Sequence, residues 1–402
     1  MTETFVFPAK TKKVAFALIA IGVLGVVLGL TVGHDHNRVW ANLLLNSYYF
    51  IGLALAGVFL TAAHQIGYGG WHVQIKRVFE ATGALIPVIG VVVLLILAGA
   101  KLHWHHLYHW MDESLYDPNS ANYDSVMAGK KGFLNFPFFT FRIIFYLFIW
   151  TLFAWLLKKV SVKQDEVGGL KYYKQNKFYA ALFLIVYAVT SSTASWDFVM
   201  SVDPHWYSTL FGWYNFASCS AAGVAAITLV VLYLKSNGFL KNVNEEHYHN
   251  LGLFMFGFSV FWAYLWFSQY MLQWYANIPE ETIYFVNRLD GRPLYKILFY
   301  TNLILCFFFP FLFLMTRAAK RSPAKLVIAA LILLVGHWID YYLMIMPGAG
   351  GEHAGIGLTE LSITLGFAGC YIFVVLNTLT KASLVPVNDP FANESMVHHT
   401  LK

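Results

Sequence analysis

The residues best placed to do chemistry are two acids at the ends of apolar runs. Asp197 lies in the stretch from Ser195 to Tyr207, Ser-Trp-Asp-Phe-Val-Met-Ser-Val-Asp-Pro-His-Trp-Tyr, with Asp203 six residues further on. A carboxylate about one helical turn inside a membrane boundary costs several kcal/mol unless it is paired or wetted, so it marks a proton path or the partner of a buried cation. Asp340 repeats the pattern in Gly336-His337-Trp338-Ile-Asp340, and in both stretches the acid precedes a proline by seven residues, Pro204 and Pro347. His337 and Asp340 are three apart, so one helical face presents a base and an acid together. Arg142 falls inside another apolar run, and a buried arginine needs an acid or a water-lined cavity. Asp197 is the expected partner, by depth.

Other polar groups have a plainer reading beside the chemical one. His64 could carry protons or ligate a haem, but a lone helical histidine near a boundary is more often hydrogen-bonded in place. Glu80 opens an apolar run, where an acid suits the helix N-terminus. Ser268, Gln269 and Gln273 form a polar stripe, read equally as interhelical glue and as a cavity lining. His103, His105, His106 and His109 have helical spacing for a metal. No acid or cysteine completes the set, and interleaved tryptophans read as an interfacial belt, so no metal is assigned. Cys219, Cys306 and Cys370 stand singly, and neither a haem-attachment nor an iron-sulfur spacing occurs.

These residues must be positioned by membrane helices. With 58% hydrophobic and 12% charged residues and a mean hydropathy of +0.57, the composition is that of an integral membrane protein. Ten runs reach the length of about 20 residues that a crossing needs: 14–32, 43–66, 81–100, 133–157, 178–201, 208–234, 250–276, 294–316, 324–346 and 358–380. The first is flanked by no cleavage signal and is expected to stay as an anchor. The face shared by the termini holds the basic clusters around Lys12, Lys76, Lys158, Lys174 and Arg321, which predicts both termini cytoplasmic. The net charge of +6 follows from this anchoring and gives no support for nucleic-acid binding. Connections 101–132 and 158–177 are too short for a further domain, so the chain reads as one all-α membrane domain of ten spans. Arg142 and Asn302 fall at like depths in spans 4 and 8. With Asp197 and Asp340 they predict two parallel four-helix bundles, spans 2–5 (about 43–201) and 6–9 (about 208–346), flanked by spans 1 and 10. The segment Gly348 to His353 reads as an external turn, and the tail from Pro386 as an extended cytoplasmic arm against a partner.

The run Trp196-Asp197 to Tyr207, with Phe261-Trp262-Ala-Tyr264, Ser268-Gln269-Tyr270-Met and Trp274-Tyr-Ala-Asn277-Ile-Pro279-Glu280-Glu281, resembles the ActF-type membrane subunits of bacterial alternative complex III. That assembly is a quinol:cytochrome c oxidoreductase, and its large membrane subunits are similar to NrfD-type polysulfide-reductase anchors. The resemblance covers essentially all ten spans. It implies a bacterial inner-membrane location, a sister NrfD-like subunit, haems and iron-sulfur clusters held by c-type haem and iron-sulfur partner subunits, a terminal oxidase as a further partner, and quinone or menaquinol as the mobile cofactor.

Two mechanisms follow. Oxidising a quinol releases two protons, which requires an acceptor and an exit. Asp197, or His337 with Asp340, would accept; Arg142, Trp196, Trp338 and Gln269 would hold the ring; Asp203, His205, Glu280 and Glu281 would release outward. In the alternative the chain conducts protons without redox chemistry, with His64, Glu80 and His249 as an inner half-channel and Arg142, Asp197 and Asp340 as the outer one. A purely architectural role is the bland form of this second reading. An independent solute transporter fits less well, because the polar groups sit near one face and the repeats read as parallel.

Overall fold

In the computed structural model, residues 3–33, 35–349 and 355–399 are described. Ten helices are long and apolar enough to cross a membrane. We label them α1 (Ala9–Thr31), α2 (His36–Ile66), α3 (Gly70–Lys101), α4 (Phe136–Val167), α5 (Lys171–Val202), α6 (Phe211–Ser236), α7 (Glu245–Ala276), α8 (Pro293–Phe313), α9 (Pro323–Ala349) and α10 (Leu358–Leu379). Several run past their apolar stretch, because a helix continues into water once its caps are satisfied. Asn135 caps α4 by accepting the Phe138 N–H, and Asn244 caps α7 by accepting those of Glu246 and His247. Among the described residues there is no sheet, only one isolated bridge between Thr4 and Ser383.

Helices α2 and α6 are the most enclosed and pack against each other, at one point through Gly223, where a Cβ would stand 2.1 Å from that of Ala56. Helix α9 crosses both of them, α5 lies on α2, α7 lies against α6, and α8 lies against α7 and α9. Helix α1 buries only Ala15 and Gly22 and packs along α10. There a Cβ on Gly22 would meet the Gly366 Cα at 2.4 Å, the close backbone approach typical of small residues between membrane helices. At the start of α10, Glu360 receives two hydrogen bonds of 2.7 Å from Arg38, which fixes that helix to the start of α2.

Three sequence expectations change. The histidines of 103–109 do not share an α-helix: α3 ends at Lys101, and irregular chain and a 3₁₀ turn at His109–Met111 follow. His105 turns inward against Trp40, with Nε2 2.9 Å from the Ile96 carbonyl, while His103, His106 and His109 are exposed, so the helical spacing behind the metal reading is not realised. The expected turn at Gly348 begins later, since α9 continues through Pro347 to Ala349; the rest of that turn, 350–354, lies outside the described residues. The tail is not an extended arm. It folds back on the same end of its own chain, where Leu384 N–H donates to the Glu3 carbonyl, Val387 N–H to Asp165, and Ser395 Oγ to the Trp71 carbonyl.

Candidate functional site

Asp197, on the last turn of α5, is fully buried. Arg142 of α4 meets it with two parallel hydrogen bonds, Nε to Oδ2 at 2.8 Å and Nη2 to Oδ1 at 2.6 Å, and Tyr146, one turn along the same helix, donates to Oδ2 at 2.9 Å. The remaining guanidinium nitrogen donates to the Phe133 carbonyl, and the cation lies over the rings of Phe133 and Phe138 at 3.8 and 4.3 Å. Every charge here has its complement. Such a bidentate pair with filled hydrogen bonds is an anchor between two helices. Trp196 is half-buried beside it, its indole N–H enclosed without a partner.

Asp340, on α9, is held differently. Oδ1 accepts from the Tyr214 hydroxyl and from Asn302 Nδ2 at 2.8 Å; Oδ2 accepts from Ser218 Oγ and Trp262 Nε1, each at 2.8 Å. The four donors come from α6, α7 and α8, and all are neutral. Four donors on two oxygens suit an ionised carboxylate, which is acceptor-only; a proton on it would oblige one donor to turn round. Ser218 can do so, because its Oγ also lies 3.0 Å from His337 Nδ1. With the serine proton on Asp340, Nδ1 must donate to Oγ, which leaves His337 Nε2 as a lone-pair acceptor. That atom is buried and has no partner. Asp340, Ser218 and His337 therefore form a three-member relay ending on an open base.

The backbone of α8 opens into a π-helical turn over Ile304–Phe308, starting two residues beyond Asn302. Cys306 lies in that turn and donates to Asn302 Oδ1 at 3.0 Å, which orients the amide toward Asp340. Wide turns of this kind recur at functional positions.

Against Asp340 lies a small cavity of about 20 Å³, whose polar lining residues Tyr214, Gln269, Arg288 and Asn302 stand among apolar ones such as Trp266, Phe285 and Phe299. It has room for a water molecule and the polar partners to hold it. Gln269 supplies a buried Oε1 without a partner. Arg288, missed as a site residue in the sequence because it follows an apparent external loop, is buried on the far wall. Its guanidinium donates to the carbonyls of Leu343, Tyr284 and Met344 and stacks on Tyr284 at 3.3 Å. It too sits in a π-helical turn, Asn287–Gly291. Being held by carbonyls and an aromatic face, Arg288 keeps its charge beside the cavity without closing on an acid.

The remaining predicted residues separate into groups. Trp338 donates to Asn46 at 3.1 Å and lines an apolar cleft with Tyr49 and Tyr371, whereas Gln269 and Arg142 stand at other places, so the four residues assigned to a quinone ring do not surround one pocket. His205 is exposed and meets Asp124 of the 101–132 loop at 2.6 Å; Asp203 and Glu281 are half-buried and Glu280 is exposed. The His205 hydrogen bond, then the backbone N–H of Met127, hold the Asp124 carboxyl below its ordinary pKa. At the opposite end His64 bonds the Leu60 carbonyl at 2.7 Å and stacks on His72. Glu80 is not a solvated helix start: it pairs with Arg77, which also binds Asp165 and Ser161. His249 is buried with an unpartnered Nδ1, and Ser259, between it and Trp262 on α7, is turned onto the Met255 carbonyl. No group of three or more histidines, cysteines and acids that could hold a metal occurs among the described residues. No family model matches the chain, and no curated protein matches it either.

Proposed function

We propose that the chain is a membrane subunit of a quinol:cytochrome c oxidoreductase of the alternative complex III kind, and that its part in it is to carry protons at Asp340. The observation that carries this reading is the contrast between the two acids. Asp197 is closed by a cation, while Asp340 sits among neutral donors, joined through Ser218 to His337 and facing a water-sized cavity. A proton carrier needs such a carboxylate, because a contact cation would pin it in one state. The ring of a quinol needs a pocket of hundreds of Å³, and about 20 Å³ beside Asp340 favours the proton-conducting alternative over a quinol seat there.

On this reading α2–α5 and α6–α9 are two related bundles of one domain, with α1 and α10 flanking. Both termini face the cytoplasm of a bacterial inner membrane. Haem, iron-sulfur and quinol chemistry belong to partner subunits, among them a sister subunit of the same build. Protons leave past Arg288 toward Asp203, Glu280 and Glu281. The resemblance of the Trp196 to Tyr207 and Trp262 to Glu281 stretches to the ActF type supports the complex; the donor cage of Asp340 supports the task.

The test is the Asp340→Asn variant in the complex isolated from membranes and reconstituted in vesicles. Quinol-driven electron transfer is expected to stay within about threefold while proton release falls at least tenfold. Equal loss of both would place quinol oxidation itself at Asp340, and an unchanged proton yield would reject the carrier role. Isolation of the chain without any c-type haem subunit would reject the complex.

A further inference from the structure

Where α3 ends and α4 begins, on the side away from the chain termini, the loop between them encloses a hollow of about 520 Å³ walled by Lys101, Trp110, Glu113, Asp117, Lys131 and Phe136. Two features show that this wall is not self-satisfied. Trp110 is 1% exposed, yet its indole N–H has no partner, although the Tyr116 hydroxyl holds the residue in place through its carbonyl at 2.6 Å. Buried indoles usually find an acceptor. Lys101 and Lys131 pair with no carboxylate among the described residues; their ammonium groups lie over the rings of Phe136 and Tyr116 at 5.4 and 5.1 Å. Glu113 and Asp117 form no ion pair among those residues either.

A simple anion in this hollow would meet two carboxylates, and a simple cation would meet two lysines. A ligand carrying both charges answers all of them. The hollow also sits at the hydrocarbon boundary, since Phe136 and Pro137 begin a membrane helix and line its floor. We infer that it binds the phosphoethanolamine headgroup of a membrane phospholipid. The phosphate accepts from Lys101, Lys131 and the Trp110 N–H, and the primary ammonium donates to Glu113 and Asp117. Choline is the poorer fit: its nitrogen has no N–H to donate and is recognised by aromatic faces, and the Phe136 and Tyr116 faces already carry lysines. A phosphoglycerol headgroup offers the carboxylates only neutral hydroxyl donors and no compensating charge.

The full chain, purified in detergent and stripped of lipid, is mixed with phosphatidylethanolamine, phosphatidylcholine or phosphatidylglycerol at equal mole fraction, and lipid retention is counted by native mass spectrometry. One phosphatidylethanolamine is expected to be retained at least fivefold better than either other lipid. Trp110→Phe and Lys131→Gln are each expected to lower that retention at least fivefold, and Glu113→Gln with Asp117→Asn to erase the preference over phosphatidylcholine. Lys131 is exposed, so its variant decides the matter if Trp110→Phe does not fold. Equal retention of the three lipids, or retention unaffected by Lys131→Gln, would overturn the assignment. Full displacement of the lipid by soluble glycerophosphoethanolamine would overturn the lipid as its source.

Discussion

Asn302 of α8 donates to Asp340 at 2.8 Å, whereas Arg142 of α4 donates twice to Asp197. All the donors to Asp340 are neutral, the Asn302 amide among them, whereas Asp197 is held by a guanidinium in an ion pair. Tyr146, four residues after Arg142, supports the first acid, and Cys306, four residues after Asn302, turns the amide. Replacing Asn302 by arginine should therefore convert the second site into the first. We expect Asn302→Arg to lower quinol-driven proton release at least tenfold with electron transfer preserved within about threefold. An Asn302→Gln control should lose less, because it keeps a neutral donor. The measurement is proton yield per electron in vesicles.

The Arg142–Asp197 pair should matter for stability and not for turnover. Their side chains are 9% and 0% exposed, so removing the arginine strands a buried carboxylate. Arg142→Ala is expected to cost about 3–5 kcal/mol, whereas the double change Arg142→Met with Asp197→Leu should be nearly neutral. Thermal unfolding in detergent, followed by helical circular dichroism, checks the order of the three proteins. A double variant no more stable than Arg142→Ala would mean that the pair is irreplaceable for some other reason.

The contact between Asp124 and His205 makes a pH prediction for the surface. The Asp124 carboxyl is held below its ordinary pKa, so its contribution is fully present above the unfolded value of about 4 and is lost as pH falls through the lowered folded value. The pair is largely exposed, so the effect is local. Amide protection at Val126 and Met127, both bonded to Asp124, should be constant from pH 7 to pH 5 and fall below pH 4. His205→Ala should move that fall to higher pH. Hydrogen exchange resolved by mass spectrometry reads both, and protection that rises on acidification would contradict the sign.

How far the sequence carries is clear from particular residues. The ten spans follow from apolar run length, and the pairing of Arg142 with Asp197 follows from two charges at one depth, because an unpaired charge there is too costly. Arg288 was not legible. It follows Pro279-Glu280-Glu281, which reads as water-exposed, and only the π-helical turn at Asn287–Gly291 folds it inward. The cage of Asp340 was partly legible: His337 and Asn302 were in view by spacing and depth, but Tyr214, Ser218 and Trp262 come from helices whose rotation no single-span pattern fixes. The tail escaped because its short apolar and polar residues carry no period. Its fold is set by partners elsewhere in the chain, Asp165 and Lys76 above all.

That tail gives the last prediction. Lys76 and Asp389 are 3% and 5% exposed at the side chain and meet at 2.9 Å, while the Asp165 carboxylate is shared between Arg77 and the Val387 N–H. The tail thus completes two buried charge sites at the end of the helices where His64, His72 and Glu80 lie. Asp389→Ala leaves Lys76 buried with only Gln65 at 3.4 Å, which should cost about 3 kcal/mol and release the segment. We expect limited proteolysis after residue 382 to quicken at least tenfold in this variant, with the α1–α10 contact unaffected. Lys76→Met with Asp389→Leu should restore protection, since it removes both charges together. If Asp389→Ala leaves proteolysis unchanged, the tail is held by its other contacts, to Glu3, Asp165 and Trp71 among them.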